Sequence, residues 1–176
     1  MDTGALLTRA TIWLSIIAYA VGIVVFAFSG RRVNCERFTR ILWTIGLIGL
    51  FAHVICAFQF FHSWSHDAAY RDTARQTFEV VGMNWGGGLY INYLILILWT
   101  LDLGWWWWGG IESYRRRGWT LIAGWHAFLI FIIFNATVVF TQGLSRWFGL
   151  LVCICIVTAW WFVLRQTFNT ETGGTN

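Results

Sequence analysis

Apolar residues in this chain fall into five long runs separated by polar breaks. The runs cover residues 10–28, 41–61, 88–108, 119–141 and 147–164. Each is near the ~20 residues that span ~30 Å of hydrocarbon as a helix. None shows the period-two alternation of a barrel strand, so helices are the remaining way to satisfy the backbone in lipid. The pattern predicts an all-α protein: one membrane domain, residues 1–176, built on a bundle of five transmembrane helices.

The breaks are unequal. Residues 29–40 and 109–118 are short and arginine-rich, whereas 62–87 is long. That long break begins "HSWSHDAAYRDTARQT", and no glycine or proline occurs from Leu50 to Val81. Asp67 and Arg71 stand four apart in the order that supports a helix. The spacing predicts a helical connection over 62–80, either continuing the second span or bending near Ser63 and Ser65, and ending before Gly82 in "GMNWGGG". On a continuous helix, Gln59, His62, His66, Tyr70, Thr73 and Thr77 share one stripe. Residues 168–176 read as a disordered polar tail.

Composition agrees with a bilayer as solvent. Residues are 58% hydrophobic and 11% charged, against about 25% charged in a soluble domain. Many of the fourteen tryptophans sit near run ends, where aromatic belts form. The first run is too long for a signal-peptide core and reads as a retained span. All twelve basic residues are arginine. Arg31, Arg32, Arg37, Arg40, Arg115, Arg116, Arg117 and Arg165 fall at one end of the spans. Arg9, Arg71, Arg75 and Arg146 fall at the other. The positive-inside rule then predicts the N-terminus outside and the C-terminus in the cytoplasm, in a bacterial-type inner membrane. The net charge of +4 comes from these loop arginines and argues against a nucleic-acid partner. Cys35, Cys56, Cys153 and Cys155 have no spacing that suggests a disulfide or metal framework.

Ionisable groups inside spans mark candidate chemistry. Asp102 is the only acidic residue within a run, and His53 and His126 are the histidines within runs. Asp102 and His126 match in depth across the third and fourth spans, as a polar pair that fixes helix register or orients an imidazole. His53 and His126 are candidate axial ligands for a b-type haem, though their expected depths differ by about 8 Å. His62 and His66 are candidate ligands for a transition metal. Gln59, His62, Tyr90, Asn92, Tyr93 and Asn135 are expected to line a polar pocket on the outer side. Neither haem nor metal is indicated by any further motif. No phosphate loop, CxxC, CxxCH, nucleophile elbow or HExxH occurs, so the reading leans away from an enzyme.

Three functions fit these features. The leading one is a subunit or scaffold of a membrane assembly, whose partners are the lipid bilayer and other membrane subunits. The alternatives are a haem- or metal-binding electron-transfer component, and a transporter or sensor with an outward-facing polar pocket.

Overall fold

The computed structural model describes residues 3–28, 32–116 and 119–172. It is an all-α bundle: α1 (Thr3–Phe28), α2 (Val33–Phe60), α3 (His66–Val81), α4 (Gly88–Arg115), α5 (Trp119–Phe134) and α6 (Leu144–Thr172). A π-helical turn, Asn135–Val139, extends α5. Among the described residues, five helices are long and apolar enough to cross a membrane: α1, α2, α4, α6, and α5 with its π turn. In hydrocarbon a helix satisfies its backbone within itself, which is why every apolar run has become one.

Helix α1 packs along α2 and also touches α6, α4 lies against α2, and α5 against α6. The α1–α2 contact is close because Gly22 leaves room for Trp43. A Cβ at Gly22 would lie 2.4 Å from the Trp43 Nε1. Trp43 donates from Nε1 to the Tyr19 carbonyl at 3.3 Å and is 1% exposed.

The long break is helical as expected over 66–81, but 62–65 is not part of a helix. The chain turns there, with Ser63 and Trp64 at φ 48° and 60°. Left-handed backbone costs about 1–2 kcal/mol per residue. Local bonds offset that cost. Trp64 Nε1 donates to Gln59 Oε1 at 2.9 Å, and Ser65 caps α3 by accepting from Ala68 N at 3.2 Å. Gly82, at φ 75°, ends α3 in the left-handed conformation that glycine adopts most readily. Ion pairs run along α3: Arg71 with Asp67, and Arg75 with Asp72 and Glu79. The Asp72 hydrogen bond, then that of Glu79, raises the Arg75 pKa above its ordinary value, so the guanidinium stays charged.

Three further boundaries differ from expectation. Residues 109–118 are not simply a loop. Helix α4 runs to Arg115 across a kink at Gly110, with φ 70° and ψ 176°. Helix α2 starts at Val33, which places Glu36 inside a spanning helix, 3% exposed. Helix α6 runs through Thr172, so residues 168–172, expected to be disordered, are helical. Residues 173–176 lie outside the described residues.

Candidate functional site

Two polar clusters occupy the bundle. The first lies in its core, towards the arginine-rich end. The Tyr19 hydroxyl and His126 Nδ1 share a hydrogen bond of 2.8 Å. The Tyr114 hydroxyl donates to Asp102 Oδ2 at 3.3 Å. Asp102 and His126 are 6% and 3% exposed. Tryptophans enclose the group. Trp43 lies 5.4 Å from the His126 ring and 5.8 Å from Tyr19. Trp99 meets Tyr19 edge-on at 5.8 Å, and Trp106 stacks on Tyr114 at 4.5 Å. Buried polar groups without partners cost about 1–3 kcal/mol. Here a tyrosine meets Asp102 and another meets His126, two of the three ionisable groups within the apolar runs.

Beside this cluster, Arg40 donates from Nη1 to the Trp106 carbonyl at 3.3 Å. Its guanidinium sits 3.9 Å over the Trp107 ring. These contacts tie the start of α2 to the end of α4.

The second cluster lines a cavity of about 320 Å³ at the opposite end of the bundle, between α1, α2, α3 and α4. Its polar lining combines Thr8, His53, His62, Asp72, Thr73, Gln76, Asn92 and Tyr93, and its apolar lining includes Val54, Ala57, Phe58, Phe61 and Leu89. Helix α3 folds over this end rather than projecting from it. Thr73 of α3 would lie 3.2 Å from a Cβ at Gly88, the first residue of α4.

Several of these groups already have partners. Thr8 donates its hydroxyl to the Gly4 carbonyl and Thr73 to the Ala69 carbonyl. Asp72 accepts from Gln76 at 2.9 Å and from Arg75. His53 donates from Nδ1 to the Thr8 carbonyl at 2.8 Å. Among the described residues, the His62 ring, the Asn92 amide and the Tyr93 hydroxyl make no hydrogen bond to protein, and neither does His53 Nε2.

The expected outer pocket is thus partly redrawn. His62, Asn92 and Tyr93 line the cavity, but Gln59, Tyr90 and Asn135 do not. Gln59 is held by Trp64 in the turn. Tyr90 faces His66 and Tyr70 at 5.7 and 6.1 Å. Asn135 donates to the Phe131 carbonyl where the π turn begins. The turn at 62–65 also breaks the supposed stripe. His62 packs on Phe58 in the turn, while His66 opens α3 beside Tyr90 and Tyr93. They are therefore not successive positions on one helix face. Among the described residues, no three His, Cys, Asp or Glu side chains gather as a metal site would require.

His53 and His126 are not brought together. His126 lies at the level of Trp43, which precedes His53 along α2 by almost three turns, about 15 Å. A bis-histidine haem needs both nitrogens on one iron, so this pair does not supply it.

Sequence reasoning missed Tyr19, Tyr114 and Trp43 in the core, and Thr8, Asp72 and Gln76 in the cavity. Tyr19 carried a usable signal, being a phenol within the first apolar run that needs a partner in hydrocarbon. Asp72 and Gln76 carried none, because their position depends on how α3 folds back.

Comparison with protein-family models, with curated proteins and with solved structures found no match to this chain.

Proposed function

We propose that this protein is a membrane receptor or carrier that binds a small amphipathic molecule in the cavity covered by α3. One observation carries this reading. His53, His62, Asn92 and Tyr93 line one cavity and keep polar groups that the described protein leaves unmatched. Ligand sites bring polar groups together beside an apolar wall, and here eight polar residues converge beside Val54, Ala57, Phe58, Phe61 and Leu89. The core cluster, in which Tyr19 bonds His126 and Tyr114 bonds Asp102, serves register and stability in this reading. The cavity moves the balance from a bare scaffold to ligand binding. By the positive-inside rule, the excess of arginine in the breaks at 29–40 and 109–118 favours a non-cytoplasmic face for the α3 end. The cavity then opens outward, as in the transporter or sensor reading.

Native mass spectrometry of the protein released from its own membrane tests the proposal. A retained small-molecule adduct is expected on the unmodified chain. It should be absent from Ala57→Trp, where the indole fills the cavity. An adduct on both proteins, or on neither, overturns the proposal.

A further inference from the structure

We infer that the ligand is a lipid with a single-ring hydroxyaromatic head, of the phenol or quinol class, and a hydrocarbon tail. This rests on the ligand-binding reading above and adds the chemistry of the ligand.

The head group follows from His53. A carbonyl oxygen can only accept, so the 2.8 Å contact with Thr8 puts the proton on Nδ1. In the neutral ring Nε2 then carries the lone pair and accepts. Neutrality follows from the surroundings. The ring bonds an uncharged carbonyl and shares its wall with Val54, Ala57 and Phe58. The one carboxylate in the lining, Asp72, is already engaged by Arg75 and Gln76. Charging an imidazole in such a wall is costly. His53 therefore asks the ligand for a donor, about 10 Å inside the end of α2. His62, Asn92 and Tyr93 nearer the rim can each donate or accept, and so suit a second ring substituent. Size points the same way. An apolar cavity of about 150 Å³ holds benzene, and this one is about 320 Å³, which suits one substituted ring.

The tail follows from the neighbouring groove. Phe51, Tyr93, Leu96, Ile97, Thr100 and Leu101 line a second hollow of about 380 Å³. The Thr100 hydroxyl is turned back onto the Leu96 carbonyl at 2.6 Å, so the groove floor is apolar. Tyr93 lines both hollows. From Tyr93 to Leu101 the groove follows α4 for about 12 Å, in the part of the bundle that faces hydrocarbon. A ring in the cavity would leave past Tyr93 with its tail lying in this groove.

Calorimetric titration of the purified protein in detergent with three probes tests the inference. The probes are decylhydroquinone, its di-O-methyl ether, and hydroquinone without a tail. Decylhydroquinone should bind best. The ether should bind about tenfold or more weakly, the loss of one hydrogen bond, and so should the tail-less ring. His53→Phe should bind the quinol and its ether alike. His53→Asn can keep the Thr8 bond through Nδ2 but holds its remaining acceptor, Oδ1, short of the Nε2 position, so discrimination should weaken in a folded protein. Ile97→Trp should remove the advantage of the tail alone. Equal binding of the quinol and its ether to the unmodified protein overturns the inference, as does discrimination that survives undiminished in both His53→Asn and His53→Phe. If no probe binds while the native adduct is retained, the ligand class is wrong and the ligand-binding reading stands. If both are absent, that reading falls as well.

Discussion

The Tyr114 hydroxyl reaches the Asp102 carboxylate at 3.3 Å across twelve residues of one helical element. On a straight helix those residues would stand about 18 Å apart. Gly110 removes the separation. Its φ of 70° and ψ of 176° turn the chain so that residues 111–115 fold back beside Trp106. Trp105 Nε1 donates to Ser113 Oγ at 3.0 Å across the same reversal. The membrane end of α4 therefore caps its own buried carboxylate.

Gly110 occupies a backbone region essentially closed to other residues. Gly110→Ala should lose about 1–3 kcal/mol of stability, read by chemical unfolding in detergent. An alanine variant of unchanged stability would mean that the reversal is not held as described.

Asp102→Asn should cost little, since an amide oxygen still accepts from Tyr114. Asp102→Ala leaves the phenol without that partner in a buried site and should cost about 1–3 kcal/mol. The ordering of the two variants is the test. Equal losses would show that charge, not the hydrogen bond, matters at this position.

Tyr19→Phe should leave the His126 Nδ1 without its 2.8 Å partner. The expected loss is about 1 kcal/mol, with a shift of the His126 ring nitrogens in ¹⁵N spectra. Spectra unchanged by the substitution would remove Tyr19 from the cluster.

Gly22→Val places two methyls where Trp43 now sits, within 2.4 Å of the Cβ position. Overpacking of this kind costs about 1–3 kcal/mol. Because Trp43 also flanks His126, the same variant should perturb the His126 signals. A silent Gly22→Val would contradict the close packing of α1 on α2.

A reporter fused after Asn176 should behave as cytoplasmic, with one at the N-terminus on the opposite face. The reverse pattern would place the α3 cavity on the cytoplasmic side.

The five membrane helices were legible in the sequence, because a span is a local property. About twenty apolar residues in lipid have few alternatives to a helix. Glu36 and residues 168–172 show the weakness of that signal at boundaries. Polarity alone ended the expected elements, whereas a helix continues until the backbone is made to turn. Asp102 and His126 were legible for the same local reason, as costly groups in hydrocarbon. Which tyrosine meets each of them was not. Tyr114 arrives through a glycine reversal, and Tyr19 from a helix 107 residues away in sequence.

What the sequence determined by itself, then, is the class of object and where its polarity is concentrated. What only the tertiary structure decided is which polar groups meet. The turn at Ser63 and Trp64 needs two residues in the left-handed region, and no glycine or proline announces it. That turn parts His62 from His66 and sends α3 back across α4. It carries Asp72 and Gln76 to the cavity that His53 lines. Side-chain periodicity along a helix holds only while the helix continues. Once the chain turns, the packing of α3 on α4 chooses the neighbours.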